Sequence, residues 1–452
     1  MLHDCAHSGE NERSIDRQGG SFMPEVEIVE DEATAKIRAE AGAWFDENWD
    51  PELTLGEWWE RLAESGWGLP TWSEDWFGKG LNSDQAAAVA QERKRVGAYG
   101  PPSGIGIMMA GPTIINHATD EQKKRFLPNM VNGKEVWCQL FSEPGSGSDL
   151  ASLSTRAVRD GDEWIVNGQK VWTSGAQFSK WGILIARTNV DVPKHKGVTY
   201  FVIDMDQPGI EVRPLKEMTG GATFNEVFFT DARVPHANMI GDEGEGWGVA
   251  VTTLAHERNS LGAGSMGGMG GGEVIGLPDL SKKMSDIMKG GGGGEMAGMA
   301  AAFGGGGASM IKMLPAMFNK QKDPLVRQDI IKLYTMMEIA RYTGLRSQAA
   351  AARGQRPGPE VSTGKLMASN MVRHMRDVGL RIEGAQGMLH GKDAPLNGMM
   401  QFLALFCPAI AIAGGTDQVQ RNIIGERVLG LPSEPRVDKE LPFKDLKVGT
   451  QR

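Results

Sequence analysis

The spacing of apolar residues changes period twice along the chain. From about Pro24 to Gly133 it is helical. Glu32–Trp49 carries its apolar residues at helical intervals and ends before Pro51, and Leu53–Gly66 places Leu55, Trp58, Trp59 and Leu62 on one side. Thr119 is positioned to cap a helix over Asp120–Phe126, which Pro128 is expected to stop. From Glu135 to about Asn238 the pattern breaks into short β-rich runs: Trp164–Val166 before the turn pair Asn167-Gly168, then Trp181–Ala186, Val198–Asp204 and Val227–Phe229. Gly, Asn, Asp and Pro between such runs predict a compact antiparallel sheet or barrel. After Gly246 the helical period returns as far as Leu431, with helices predicted over Leu325–Ala351, Leu366–Gly384 and Gln418–Val428. The expected fold is α+β: an N-terminal helical domain over residues 23–134, a central β-barrel or sheet domain over 135–245, and a C-terminal helical bundle over 246–452.

Residues 262–322 interrupt the bundle with a segment very rich in Gly and Met. Gly262-Ala-Gly264-Ser-Met-Gly267 matches G-x-G-x-x-G in form, but it follows a helix rather than a strand and lies in low-complexity sequence. It is not read as a nucleotide fingerprint. Glycine at this density is costly to order, so a mobile loop or lid is expected.

One charged residue stands out against the helical pattern. From Trp247 the small or apolar positions Ala250, Val251, Leu254 and Leu261 mark one face, and Glu257 falls three after Leu254 and four before Leu261. A carboxylate kept from water is costly unless paired, and burial lifts its pKa toward that of a general base. The alternatives at this level are an ion pair with Arg258 or a helix that turns Glu257 outward.

Length suggests about three domains, at roughly 150 residues each. A net charge of -9 argues against a general nucleic-acid role. Three cysteines, Cys5, Cys138 and Cys407, match no metal-ligand spacing and fit a reducing compartment. No apolar run reaches the roughly 18 residues of a membrane span. The first 22 residues are polar and lack an apolar signal core, which reads as a disordered tail on a cytoplasmic protein.

Two segments of the β region carry candidate chemistry. Trp137-Cys-Gln-Leu-Phe-Ser-Glu-Pro-Gly-Ser-Gly-Ser-Asp149 runs from a strand into a turn rich in hydroxyls and free backbone N–H groups. Such a turn suits a polyanionic or heteroaromatic ligand, and is equally an ordinary hairpin turn. In Asn167-Gly-Gln-Lys-Val-Trp-Thr-Ser-Gly175, Trp172 is placed to stack on a planar cofactor with Thr173 and Ser174 meeting its ring nitrogens, or to be one more core aromatic among twelve tryptophans.

Taken together these segments resemble the acyl-CoA dehydrogenase family, and the order of motifs spans Trp44 to Pro432. Ser142-Glu-Pro-Gly-Ser-Gly-Ser-Asp149 resembles the family's first signature and Lys170-Val-Trp-Thr-Ser-Gly175 its flavin-contacting strand. Glu226-Val-Phe-Phe-Thr-Asp-Ala-Arg-Val-Pro235 resembles the strand that closes the β domain. Ala413-Gly-Gly-Thr-Asp-Gln-Val-Gln-Arg-Asn-Ile-Ile424 resembles the loop and helix beside the flavin. By that resemblance Trp172, Thr173, Ser174, Phe141, Ser142, Ser148, Thr416 and Gln418 contact FAD, with Ser148 and Arg258 also meeting the acyl-CoA. Arg327 and the Gly384-Ala-Gln-Gly387 turn would reach the FAD of a neighbouring subunit, which implies a dimer or tetramer. The family's usual Arg-x-x-Phe-Gly stretch is missing, and the Gly/Met-rich segment occupies its place.

The family carries its catalytic glutamate either just before the Gly-Thr of the C-terminal loop, where this chain has Gly414, or on the first C-terminal helix before an arginine, where it has Glu257-Arg258. The implied reaction is α,β-dehydrogenation of an acyl-CoA thioester. Glu257 takes the α-proton, a hydride leaves the β-carbon for the flavin, and the Gly414 N–H stabilises the thioester oxygen. Electrons pass to an electron-transfer flavoprotein. The alternatives are a non-catalytic partner subunit of a hetero-oligomer, or an oxidase or flavin monooxygenase on the same fold.

Overall fold

The computed structural model describes residues 31–262, 277–289, 313–353, 358–435 and 438–447. The N-terminal tail and most of the Gly/Met-rich segment, including its Gly290–Gly307 run, lie outside these residues.

The N-terminal helices begin where polar caps satisfy their first N–H groups. Asp31 caps α1 (Glu32–Asn48), Thr54 and Glu57 form a reciprocal capping box on α2 (Leu55–Ser65), and Asn82 and Gln85 do the same on α3 (Ser83–Arg95). Trp58, Trp59 and Leu62 of α2 bury against Ala41 and Phe45 of α1 and Val89 of α3. Helix α4 (Gly111–His117) leads to α5 (Asp120–Val131), which Thr119 caps as expected. Pro128 does not end α5. It removes one backbone donor in the last turn, while Leu127, Met130 and Val131 around it are buried and hold that turn in helical form.

Among the described residues eight strands form one sheet: β1 (Trp137–Leu140), β2 (Arg156–Asp160), β3 (Glu163–Ser174), β4 (Trp181–Arg187), β5 (Val198–Asp204), β6 (Ile210–Pro214), β7 (Phe224–Pro235) and β8 (Met239–Ile240). Their order is β6-β7-β3-β2-β4-β5-β8, with β1 also paired to β4. The pairing is mixed rather than wholly antiparallel, because β1 runs parallel to β4 from Trp137↔Trp181 to Leu140↔Leu184. One face packs Phe141, Ile183, Ile185, Tyr200 and Val202 against α4 and α5, and the other encloses Trp164, Leu184, Phe201 and Val227.

Asn167-Gly168 is not a turn. It lies inside the twelve-residue β3 at a bulge against β7, and the hairpin to β2 closes earlier, at Gly161. Gly168 is required there. Its φ is 152°, and a Cβ would stand 2.5 Å from the Thr155 hydroxyl oxygen.

Helix α6 (Gly246–Gly262) leaves the sheet and packs against α4, β5 and the long C-terminal helix Val361–Glu383. Part of the segment expected to be a loop is helical: in α7 (Met284–Lys289), Met284 is fully buried in the α1–α3 core, and its N–H donates to Leu53 O. The bundle continues with α8 (Pro324–Ala352), α9 (Val361–Glu383), α10 (Met399–Ile410) and α11 (Asp417–Ile423), packed around Leu333, Val372, Met375, Ile382, Met400 and Phe406. Among the described residues no helix is long and apolar enough to cross a membrane.

Candidate active site

The rotation of α6 is set by a buried hydroxyl cluster. Thr253 lies 2.9 Å from the Thr113 hydroxyl of α4 and 3.1 Å from the Tyr200 hydroxyl of β5. The helix therefore buries Val249, Ala250 and Thr253, whereas Val251, expected on that face, is 44% exposed. Glu257 follows Thr253 by one turn and so stays on the inward side.

Its carboxylate meets groups from two other parts of the fold. Oε1 accepts the backbone N–H of Gly414 at 3.1 Å, and Oε2 accepts from the Gln139 side-chain amide of β1 at 3.5 Å. Glu257 is half-buried by its surface, yet its carboxyl is enclosed, and burial pushes its pKa up from the ordinary value. The Gln139 amide, the Gly414 N–H and the Arg258 charge pull weakly the other way. Arg258 is itself half-buried. Burial lowers its pKa, the Glu257 charge raises it, and Arg427 lowers it.

Gly414 is held by its own neighbours. It is buried with a φ of 65°, in the left-handed region that favours glycine, and its carbonyl accepts from Gln420 Nε2 at 2.9 Å. Thr416 caps α11 by accepting the Val419 N–H. Asp417 pairs with Lys365 at 3.2 Å and with Arg373, which ties this loop to α9. Gln418 is exposed beside it.

The second group of expected residues is joined by a buried ion pair. Lys170 of β3 is fully buried, and its Nζ donates to Glu143 Oε1 at 2.8 Å and to Phe141 O at 3.0 Å. Glu143 also accepts the N–H groups of Ser154 and Thr155. Burial alone would raise the Glu143 carboxyl, but the Lys170 charge and these bonds outweigh it and hold it low. The pair fastens the Ser142–Asp149 turn to the strand bearing Trp172, and the Val171 N–H donates to Ser142 O beside it. Phe141 is buried edge-on to Tyr200, Ser142 is half-buried, and Ser148 stands exposed at the tip of the turn.

Trp172 is not a core aromatic. It is 61% exposed with a φ of 63°, at the bulge between Lys170 and Thr173, and its only described ring partner is the edge of Phe224. A large planar face kept open in a strained backbone beside the half-buried Ser174 fits a flavin ring. Thr173 departs from expectation. Strand alternation turns it inward, where its hydroxyl is enclosed without a hydrogen-bond partner, so it is not open to a ring nitrogen.

Arg327, Gly384 and Gly387 are not brought into this centre by any described contact. Arg327 and Gly384 are exposed and Gly387 half-exposed on the C-terminal bundle. No cluster of three or more metal-ligating side chains occurs among the described residues. Sequence reasoning missed Gln139 and Lys170. The signal for Lys170 was a cation in an otherwise β-forming run, whereas nothing local marks Gln139.

A carboxyl of raised proton affinity beside a buried backbone N–H suits removal of a proton next to a carbonyl whose oxygen gains charge. Comparison with known proteins agrees in class. The acyl-CoA dehydrogenase N-terminal, middle and C-terminal domain patterns match residues 25–134, 138–232 and 317–429. The chain is 36% identical over 379 residues to acyl-CoA dehydrogenase IpdE1 of Mycobacterium tuberculosis, covering 84% of this chain and 88% of that one. Among solved structures it resembles the ChsE4-ChsE5 complex of Mycobacterium tuberculosis (TM-score 0.65, 26% identity, 90% of this chain and 100% of that one). It resembles a steroid ACAD, Tcur3481-Tcur3483, equally well (TM-score 0.65, 26% identity, 90% of this chain and 99% of that one). The chain belongs to the acyl-CoA dehydrogenase family, whose members are FAD-dependent oxidoreductases.

Proposed function

We propose that this acyl-CoA dehydrogenase uses Glu257 to remove the α-proton of an acyl-CoA thioester. The observation that carries the reading is the enclosed Glu257 carboxylate against the Gly414 N–H, at the place where a base and an oxyanion donor must lie side by side. In the free protein that N–H is spent on the carboxylate. An arriving thioester oxygen takes it over, which gains a donor for the developing enolate and leaves Glu257 more basic. Arg258, half-buried next to the base on α6, would meet the acyl-CoA.

The residues that would hold FAD are the open face of Trp172 with Ser174, the Phe141–Ser142 strand end with Ser148, and Thr416 with Gln418. Thr173 contributes through its backbone. When bound, FAD supplies the acceptor for the hydride from the β-carbon. Exposed Arg327 and the Gly384–Gly387 turn would meet a neighbouring subunit's cofactor. An electron-transfer flavoprotein is the onward partner.

A glycine at 414 leaves room beside the reacting carbons, so a branched or ring-bearing acyl group is the proposed substrate. The likeness to the steroid ACAD Tcur3481-Tcur3483 supports this direction. Anaerobic mixing with a panel of acyl-CoAs tests the whole reading. Flavin bleaching by the native protein and none by Glu257→Gln is the expected result, and bleaching by both would overturn it.

A second reading is a hetero-oligomer in which this chain needs a different partner chain to complete a cofactor site. The two-chain complex among its structural relatives favours it. Purification of the chain alone separates the two: a yellow, FAD-bearing protein argues for self-sufficiency.

A further inference from the structure

Residues 438–447 lie beyond the matched helical domain, which ends at 429, and they return to the β domain. The Phe443 N–H donates to Val192 O at 2.9 Å and the Lys444 N–H to Val190 O at 3.0 Å, while Lys444 pairs with Asp191 at 2.8 Å. These bonds lay the segment along the loop between β4 and β5. Beneath it the Arg187 guanidinium sits 3.8 Å from the Phe443 ring centre. Arg187 is itself buried and donates to Lys194 O at 2.6 Å, Ala151 O at 2.5 Å and Leu153 O at 3.2 Å.

All of these ties lead to one place. Lys194, nearly buried, spans both Asp149 oxygens at 3.0 and 2.9 Å and Asp438 Oδ2 at 2.6 Å. Asp149 ends the Ser142–Asp149 turn, and its carbonyl accepts the Ser146 hydroxyl at 2.7 Å. Ala151 and Leu153, which Arg187 grips, follow directly. The tip of the turn has almost no apolar anchorage, since Pro144, Gly145, Gly147 and Ser148 are exposed. Polar ties therefore fix its position, and one end of them is supplied by the C-terminal segment.

We propose that residues 438–447 form a strap that holds the Ser142–Asp149 turn in its acyl-CoA-binding position, with Lys194 and Asp438 as positioning residues. The proposal rests on the reading that Ser148 at this turn meets acyl-CoA. Without Asp438, the ammonium of Lys194 loses one of its two carboxylates and the strap loses its tie to the turn. The turn then samples positions in which Ser148 no longer faces the substrate. Substrate binding weakens, while the base on α6 and the loop at Gly414 stay where they are.

The test compares full-length native protein with Asp438→Ala, Asp438→Glu, Ser148→Ala and a chain ending at Pro435, using one acyl-CoA that bleaches the flavin of the native enzyme. Steady-state KM and kcat, bound FAD and Tm are measured for each. Asp438→Ala should raise KM roughly threefold to fivefold, within the range set by partly exposed ion pairs, with kcat unchanged and bound FAD reduced no more than in Ser148→Ala. Asp438→Glu should restore the native KM, and the shortened chain should show a rise at least as large as Asp438→Ala. If the shortened chain does not fold, the two Asp438 variants decide. A raised KM for Ser148→Ala with a native KM for Asp438→Ala would overturn the strap and leave the turn's role intact. A native KM in both would overturn the strap together with the reading it rests on. A fall in kcat matching a fall in Tm for Asp438→Ala would show a merely structural tie and overturn the positioning role.

Discussion

Glu257 Oε1 accepts the backbone N–H of Gly414 at 3.1 Å across a separation of 157 residues. The contact joins the first helix of the C-terminal domain to the loop before its last one. It places a carboxylate of raised pKa and a buried donor within one substrate's width.

Glu257→Gln preserves shape and removes the base. Turnover of acyl-CoA should fall by about 10²–10⁴, the usual cost of losing a general base, with FAD still bound. Anaerobic stopped-flow bleaching checks it, and a variant of native rate would remove Glu257 from the mechanism.

The same substitution has a pH-dependent effect on stability. Burial raises the Glu257 pKa in the folded state, so the folded protein holds this proton more tightly than the unfolded chain. Its contribution is favourable below the ordinary carboxylate pKa and is lost as pH rises through the folded value. Glu257→Gln should therefore gain in Tm over the native protein as pH moves from about 4 to 7. A Tm difference that stays constant across this window would contradict the assignment.

Gln139→Leu deletes an amide that favours the ionised form of Glu257. The acid limb of the kcat/KM–pH profile should move to higher pH, because the carboxylate then has one donor fewer to offset its burial. A profile shifted the other way, or unmoved, would show that Gln139 does not tune the base.

Trp172→Ala should leave the apoprotein's Tm nearly unchanged, since the ring is mostly exposed. FAD should bind about twofold to tenfold more weakly, as expected from an aromatic contact of about 0.5–1.5 kcal/mol. Titration of apoprotein with FAD, alongside thermal melting, distinguishes a lost cofactor face from a lost core residue.

Lys170→Met strands the buried Glu143 carboxylate. Breaking such a pair on one side costs about 3–5 kcal/mol, and the variant should lose stability of that order together with FAD. Denaturant unfolding measures the first and absorbance the second. Retention of full stability would mean that the pair does not hold the two motifs together.

The division into helices, sheet and helices was legible along the chain, because each element buries a stripe whose period is written in neighbouring residues. Thr119 announced its helix start for the same local reason, as its capping of α5 shows. The motifs around Ser142, Lys170 and Ala413 were legible because they are contiguous, and they carried the family. Partner choice was not legible in this way. That Asn167-Gly168 lies within a strand depends on Thr155 and β7 across the sheet, and that Pro128 is tolerated depends on the core under α5. The parallel pairing of β1 with β4 likewise follows from what each strand buries rather than from its own residues. Glu257 was singled out by spacing on a face that included Val251, yet the tertiary structure exposes Val251 and holds Glu257 inward through the bonds of Thr253 to Thr113 and Tyr200. Local propensity acts over a turn of chain. The rotation of a helix and the partner of a buried charge are decided by residues 53 to 157 positions away, whose contacts exist only once the domains have packed.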